Sequence, residues 1–324
     1  MRVVVLAVLA ACGGGGSSPA TDGGEPDRDG NNTSEASTCP PDVVPDAIDL
    51  RLGFTSDATH FYFTPTNTEL ARRPVSGGAD EKLADLPGTI EGPVVVGDQH
   101  VFGVAGGIAF RVPKTGGTPE SLGSVEGQVT ELVTDGSALY FGAVQSSFEL
   151  RRAATVGGPT TLLTDVSANG LDAAATDGVH LYWTSQQGGV IRRIPVTGGA
   201  VEEFADSKIE VAANISNFGL VVTDDEVMWS AAYQSFLDGR VFAQPKAGGA
   251  RRELTHTNLP SGLGVVGDNL YVVLTSSISK IARIPLGGGP REIIGCVDDR
   301  AFSVTARDHG VYVTEAGTVL RFDP

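Results

Sequence analysis

Residues 177–204 read DGVHLYWTSQQGGVIRRIPVTGGAVEEF and carry the pattern that decides the fold. The stretch begins at an Asp-Gly turn, passes through the apolar triplet LYW, turns at Gly188-Gly189 and turns again at Gly198-Gly199. Glycine supplies the positive φ angles of tight hairpins, and short extended runs between such turns are typical of antiparallel strands. The stretch therefore predicts consecutive β-hairpins rather than helix.

The same pattern recurs along the chain every 38 to 46 residues. Seven units start with an aromatic residue, or a methionine in one of them, shortly after a turn: Tyr62, Phe102, Tyr140, Tyr182, Met228, Tyr271 and Tyr312. Six Gly-Gly turns follow, ending at Gly78, Gly117, Gly158, Gly199, Gly249 and Gly289. A fixed period of this length indicates a repeat architecture.

Each unit reads as four antiparallel strands, which in the third unit lie near 131–134, 138–144, 148–153 and 160–163. The second strand is apolar on both faces, so both faces must be covered. A single sheet cannot cover itself, whereas neighbouring sheets around an axis can. The sequence therefore predicts an all-β, seven-bladed β-propeller of four-stranded antiparallel blades.

The seventh unit stops after its third strand, so we expect the ring to be closed by a strand from the other end of the chain. The apolar residues near 42–48 lie before the first unit and suit this role. We therefore predict that an N-terminal strand completes the last blade.

The N-terminus is predicted to direct export. A positive Met1-Arg2, a short apolar run and the sequence LAAC ending at Cys12 form a signal too short to span a bilayer. LAAC resembles the lipobox of bacterial lipoproteins, which implies that Cys12 becomes the lipidated first residue. Gly13 after it implies, by that resemblance, the outer membrane of a Gram-negative bacterium. The alternative is an ordinary cleaved signal with an incidental cysteine.

The domain organisation follows from composition. Residues 1–11 are assigned as the lipoprotein signal peptide, and residues 12–38, rich in Gly, Ser and Asp, as a flexible tether. Residues 39–324 form the propeller. Two cysteines remain there, Cys39 and Cys296, and an exported pair favours a disulfide over a metal site. The alternative is that Cys39 and Cys296 are two free, buried thiols.

The fourth unit resembles a known propeller repeat. YWT at 182–184, RIP at 193–195 and the Gly198-Gly199 turn are similar to the YWTD repeats of lipoprotein receptors and to TolB-like propellers of bacterial surface lipoproteins. The resemblance covers about residues 50–324 and implies the architecture. Other units lack the YWT tripeptide, and YWTD propellers usually have six blades, so no receptor function is carried over.

The net charge of −16 and the pI near 4.6 argue against nucleic acid and anionic membrane surfaces as partners. Membrane association is expected only through the lipid anchor. An arginine column runs through the third strands at Arg72, Arg111, Arg152, Arg193, Arg283 and Arg321. We expect each to pack on its blade and bond a carboxylate or carbonyl at a turn; a basic binding stripe is the alternative.

Two loops depart from the repeat, 206–219 and 230–240, and both are expected on one face of adjacent blades. Such departures are where binding sites are often grafted. The candidate binding residues are Asn217, Phe218, Tyr233, Phe236 and Asp238. The alternative is that these loops differ from the repeat without any function and that their aromatic rings pack onto the blade.

Polar residues precede the innermost strands and are expected around the channel mouth: Glu91, Asn169, Asn217, Asn258 and Asp299. Oxygen ligands that converge there are able to hold Ca²⁺, an arrangement that loosely resembles propeller lactonases and lyases. Solvated loop residues are the alternative, and we expect no cofactor.

The function expected from these features is a binding or scaffold module, most simply a monomer, for an unidentified protein or glycan of the cell envelope. A calcium-assisted hydrolase or lyase with its site at the channel mouth is the alternative. A purely structural envelope protein is the third hypothesis. No zinc-protease, P-loop or esterase motif is present in the sequence.

Overall fold

The computed structural model describes fourteen parts of the chain. They are residues 44–46, 52–145, 147–154, 158–166, 171–184, 189–207, 215–216, 219–233, 238–257, 259–275, 278–297, 301, 303–315 and 318–322. The described residues form strands and turns without any helix, and none of their segments is an apolar helix of membrane-spanning length.

Seven antiparallel sheets, one per repeat unit, build the molecule. Blade one contains β2 (Leu52–Ser56), β3 (His60–Thr66), β4 (Glu69–Pro74) and β5 (Glu81–Asp85). Blade two contains β6 (Val95–Val96), β7 (His100–Ala105), β8 (Ile108–Pro113) and β9 (Glu120–Ser124). Blade three contains β10 (Gln128–Thr134), β11 (Ala138–Val144), β12 (Phe148–Ala154) and β13 (Thr161–Asp165).

The other blades follow the same order. Blade four contains β14 (Ala173–Thr176), β15 (His180–Thr184), β16 (Val190–Pro195) and β17 (Glu202–Asp206). Blade five contains β18 (Ile215–Ser216), β19 (Leu220–Val222), β20 (Glu226–Tyr233), β21 (Asp238–Pro245) and β22 (Arg252–Thr257). Blade six contains β23 (Leu259–Val266), β24 (Asn269–Thr275), β25 (Ser279–Pro285) and β26 (Glu292–Val297). Blade seven contains β27 (Val304–Arg307), β28 (Gly310–Glu315), β29 (Thr318–Phe322) and β1 (Val44–Asp46).

Blade seven takes its outer strand from the start of the propeller. β1 pairs with β29 antiparallel, with Val44 opposite Arg321 and Asp46 opposite Val319. The innermost strands contact their neighbours around the whole ring, and β2 meets β27 where the ring closes. The all-β, seven-bladed propeller closed by an N-terminal strand is therefore confirmed.

The core consists of seven apolar clusters, each of which lies between two neighbouring blades. Tyr182 and Trp229 pack between blades four and five, and Phe61 and Tyr312 pack edge to face, 5.0 Å between centroids, between blades one and seven. The second strands are apolar on both faces because each face belongs to a different cluster.

The turns of the quoted stretch have the expected geometry. Asp177 Oδ1 accepts hydrogen bonds from the backbone N–H groups of Val179 (2.9 Å) and His180 (2.7 Å) and so caps the turn into β15. Gly198 (φ 88°) and Gly199 (φ 139°) make the later turn, a conformation that other residues rarely adopt. The repeat thus encodes its own hairpins.

Several sequence predictions concern residues outside the described parts. The signal peptide 1–11, the tether 12–38, Cys12 and Cys39 are among them. Cys296 is buried and lies near the end of β26, the outer strand of blade six, as expected. In the third unit, β11 matches its predicted bounds, and the other three strands differ from theirs by one to three residues at one or both ends.

Candidate functional site

The propeller has two faces that differ in their connections. The upper face carries the turns between the second and third strands of each blade and the links from one blade to the next. The lower face carries the Asp turns, such as that at Asp57, and the Gly-Gly turns, such as that at Gly198-Gly199. Both loops that depart from the repeat belong to the upper face.

Blade five is extended at this upper face. Its innermost strand is described in two pieces, β18 and β19, which pair with the same side of β20 and differ in register by one residue. The innermost strands of blades one, three and six have the same register shift. Ile215 lies opposite Tyr233, and Ser216 lies opposite Ala232. β20 has eight residues, whereas the second strands of the other blades have five to seven. The two irregular loops are therefore joined by backbone pairing into one structural unit, which we call the blade-five crest (residues 215–216, 230–233 and 238–240).

The structure brings two of the predicted binding residues together. Tyr233 ends β20 and Asp238 begins β21, and the two are opposite each other in the last rung of the hairpin. Asn217, Phe218 and Phe236 lie outside the described residues.

A rigid base supports the crest. Trp229 is fully buried and its ring lies 5.7 Å from that of Phe242 on the next strand. Gly219, which precedes β19, packs against blade six so closely that an added Cβ would lie 2.8 Å from Leu263 Cγ. This approach leaves no room for a side chain at position 219, so the chain leaves the crest along a fixed path.

The channel-mouth residues proposed as calcium ligands are only partly described. Glu91 Oε1 accepts a hydrogen bond from the backbone N–H of Gly107 (2.7 Å), which caps the β7–β8 turn. Asn169, Asn217, Asn258 and Asp299 lie outside the described residues. Within the described parts, no group of three or more His, Cys, Asp or Glu side chains has a metal-binding arrangement.

Two lysines on the lower face link neighbouring blades, and the sequence analysis missed them. Lys114 of blade two reaches Asp57 Oδ2 of blade one (2.6 Å). Lys246 of blade five reaches Asp177 Oδ2 of blade four (3.1 Å). Each lysine follows the proline of a PK-x-GG turn, a signal that distinguishes these turns from PV-x-GG. These are inter-blade ion pairs with a structural role.

The same aspartates accept hydrogen bonds from tyrosines of the second strands. Tyr62 Oη donates to Asp57 Oδ2 (2.8 Å). Burial alone raises the pKa of Asp57, but the bonds from Lys114, Thr59 N–H and Tyr62 outweigh it and hold this pKa well below its usual range. Burial and the bond to Asp57 raise the pKa of Tyr62. Asp57 is therefore an ionised anchor.

Four arginines of the arginine column form ion pairs within their own blades and so have a structural role. Cross-strand ion pairs join the third and outer strands as Arg72–Glu81 (2.7 Å), Arg111–Glu120 (2.6 Å), Arg193–Glu202 (2.8 Å) and Arg283–Glu292 (2.7 Å). The carboxylate partner in each pair is a glutamate of the outer strand, whereas we expected a group at a turn; Arg72 also donates to a turn carbonyl, that of Lys114, as expected. Each glutamate lies directly opposite its arginine on the neighbouring strand, so the two side chains meet across the sheet.

Comparison with known proteins supports the fold alone. No family model matches the chain, and no curated protein matches it. Among solved structures, it is similar to an oligogalacturonate lyase in complex with manganese (TM-score 0.64, 13% identity, 88% of this chain and 92% of that chain). It is also similar to YCF48 bound to D1 peptide (TM-score 0.60, 11% identity, 87% and 96%).

A third similar structure is the extracellular domain of the one-component system BT4673 from B. thetaiotaomicron (TM-score 0.61, 11% identity). The match covers 87% of this chain but only 39% of that chain. At such low identity, the chemistry of these proteins does not transfer to the residues of this chain.

Proposed function

We propose that this chain is a binding or scaffold module of the cell envelope, held to the membrane by a lipid on Cys12, and that its partner contacts the blade-five crest. The observation that carries the proposal is the extended hairpin of blade five, in which β20 and β21 have eight residues each and pair as far as Tyr233 and Asp238. The second strands of the other blades close the same sheets with five to seven residues, so the repeat does not require this length, and a grafted recognition surface is the simplest reason for it.

The chemistry of the crest suits a protein or glycan partner. Tyr233 and Asp238 share a rung at its tip, and the sequence places Phe236 between them. Aromatic residues with polar neighbours are typical of the centres of recognition sites. The buried Trp229 and the close approach at Gly219 fix the strands beneath, which lowers the entropy lost on binding.

The envelope location rests on the sequence, because LAAC ending at Cys12 resembles a lipobox. Two of the similar structures are an extracellular domain and a complex with a peptide, roles that are compatible with the proposal. Replacing Cys12 with Ser is expected to release the chain into the soluble fraction. A Cys12→Ser chain that remains lipid-anchored would contradict this part of the proposal.

The hydrolase or lyase alternative makes a different prediction. A site that uses Ca²⁺ stabilises the folded protein by mass action when the ion is added, whereas a binding module without the site is indifferent to it. We expect the melting temperature in 5 mM CaCl₂ to equal that in EGTA. This concentration is roughly 5 times the dissociation constant of the weakest extracellular calcium sites. A calcium-specific rise that Glu91→Gln removes would favour the alternative.

The central experiment is recovery of partners from an envelope extract with a folded Tyr233→Ala, Phe236→Ala chain. We expect the double variant to lose the partner that the unchanged chain recovers. The matched control is Gln145→Ala, Ser147→Ala at the upper hairpin of blade three. The control is expected to recover the partner, and equal recovery by the crest variant would refute the proposal.

A further inference from the structure

The outer strand of blade three lacks the carboxylate that the repeat supplies in other blades. In blades one, two, four and six, the arginine column faces a glutamate of the outer strand and forms an ion pair with it. In blade three, Arg152 faces the uncharged Thr161 of β13. Arg321 of blade seven also faces an uncharged residue, Val44, but that residue belongs to the borrowed strand β1. Among the outer strands that follow their own column arginine, β13 is therefore the exception.

The guanidinium of Arg152 shows the consequence of this exchange. In blades one, two and four, the arginine Nε itself donates to the glutamate, over 2.8 Å in each case. The Nε of Arg152 is buried, and no atom of the described residues accepts a hydrogen bond from it. Tyr140 faces Arg152 from β11, but its hydroxyl donates to Asp135 Oδ2 (2.7 Å). Arg152 as a whole is only partly buried, so a carboxylate from outside the blade can reach its guanidinium.

The edge of β13 is also less guarded than other outer edges. β13 is the last strand of its sheet, and no other described strand pairs with its outer side. Proteins commonly protect such edges with charged side chains. The outer strands of blades one, four and five each begin with two charged residues, whereas β13 begins with Thr161 and Leu162. Leu162 is 44% exposed and is the one large apolar side chain exposed within a described strand. This edge is therefore open to pairing with another strand.

We propose that β13 accepts an extended segment of another protein as an added strand, and that one carboxylate of this segment forms an ion pair with Arg152. Main-chain hydrogen bonds to a free edge supply affinity in this mode of recognition, and side chains supply specificity. Arginine suits a carboxylate because its fork of donors matches the two oxygens. The chain's net charge of −16 opposes a strongly acidic segment and also a second copy of this chain. The occupant that fits is an extended, mostly uncharged segment with a single Glu or Asp.

The register of β13 predicts which residues of the segment matter. Residues directly opposite each other in a sheet share a face, and neighbours along a strand lie on opposite faces. The carboxylate must therefore stand opposite Thr161, on the face of Arg152, and an apolar residue next to it must stand opposite Leu162. The added strand and the strand of Arg152 are two spacings apart, about 10 Å. The arginine and glutamate side chains together cover this distance, because the small side chain of Thr161 lies between them.

The test uses the full chain with Cys12→Ser and a short fluorescent peptide that alternates threonine and valine. One central threonine of the peptide is replaced by glutamate, and a second peptide has glutamine at that place. Fluorescence anisotropy measures the binding of both. We expect the glutamate peptide to bind at least about tenfold more tightly than the glutamine peptide, because it alone forms the charge-assisted bonds to Arg152.

Substitutions locate the site. Arg152→Gln is expected to abolish the preference, so that the two peptides bind equally. Thr161→Glu gives Arg152 the carboxylate that the repeat has elsewhere, and is expected to weaken the glutamate peptide at least about tenfold. Thr161→Gln has the same size without the charge and is expected to retain the preference. The matched control is Arg193→Gln, which breaks the equivalent pair with Glu202 in blade four and should leave the preference unchanged.

Several results would overturn the proposal. They are no binding of the glutamate peptide, equal affinity of the two peptides for the unchanged chain, or the same loss in Thr161→Glu and Thr161→Gln. Sedimentation of the unchanged chain as a dimer that Leu162→Lys dissociates would assign the edge to a second copy and would overturn it as well. Thr161→Glu restores the pattern of the repeat, so a loss of binding in that variant is not a failure to fold. None of these results bears on the blade-five crest, so the two proposals fail separately.

Discussion

Ile215 lies opposite Tyr233 in the backbone pairing that joins the two loops that depart from the repeat. This contact turns two departures from the repeat into one crest above blade five. Because the second strands of the other blades have five to seven residues and β20 has eight, the crest is a local extension of a regular scaffold. Function is therefore expected to depend on the crest, and stability on the repeat.

The inter-blade lysine at Lys114 is expected to stabilise the ring. Lys114→Met removes its bond to Asp57 and leaves a partly buried carboxylate with four remaining donors. The free energy of unfolding is expected to fall by about 1–2 kcal/mol. Chemical denaturation measures this loss. Lys82→Met is the control, since the Lys82–Asp85 pair lies on the exposed surface. An equal loss in both variants would show that the inter-blade position is unimportant.

Acid should destabilise the protein partly through Asp57. The pKa of Asp57 is lowered in the folded state, so the unfolded state binds more protons as the pH drops. Its contribution is present above the unfolded pKa near 3.8 and is lost as the pH falls through the lower folded value. Asp57→Asn is therefore expected to reduce the slope of stability between about pH 4 and pH 2. An unchanged slope in urea melts would contradict this account.

The repeated tyrosines explain why the repeat unit and the number of blades could be predicted from the sequence. Tyr62, Tyr140 and Tyr182 recur at a fixed place because each packs between blades and bonds the turn aspartate, so their spacing reveals both the unit and the blade count. β1 was predictable for a related reason, since a ring that lacks one strand must borrow it. Residues that recur with the repeat therefore predict the features common to all blades.

The inter-blade contacts were harder to predict. Lys114 and Lys246 are each a single-residue difference from the other turn sequences. The sequence of one strand does not show that their partners, Asp57 and Asp177, lie on the preceding blade. β18 continues the innermost strand of blade five beyond a one-residue register shift, and the local sequence gives no signal for where such a shift occurs. Of the candidate binding residues, the structure describes the positions of Tyr233 and Asp238 and not those of Asn217, Phe218 and Phe236.

Truncation tests the closing strand. A chain that starts at residue 51 lacks β1 and leaves β29 as an unpaired edge. In reducing buffer, where the predicted Cys39–Cys296 bridge makes no contribution, the loss of three rungs at about 1 kcal/mol each should lower the melting temperature by roughly 6–12 °C. A chain that starts at residue 39 removes only the predicted tether and should melt like the full chain. Identical melting of both truncations would contradict the role of β1.

The predicted Cys39–Cys296 disulfide remains to be tested. Cys296 lies beside Gly295, whose backbone packs against Phe322 near the start of β1, and Cys39 precedes β1 by five residues in the sequence. In the chain-entropy model the bridge contributes about 4–5 kcal/mol. Peptide mapping without reduction should recover the linked pair, and Cys39→Ser should lower the melting temperature. Two alkylated thiols in oxidised, folded protein would refute the bridge.

The most direct test of the central claim is site-specific photo-crosslinking in intact cells. Benzoylphenylalanine placed at Tyr233, in the blade-five crest, is compared with the same residue placed at Gln145 on the upper face of blade three. The account predicts a discrete adduct from position 233, none from position 145, and loss of the adduct when Phe236→Ala is added. Equal adducts from both positions, or none from position 233 in correctly located protein, would contradict it.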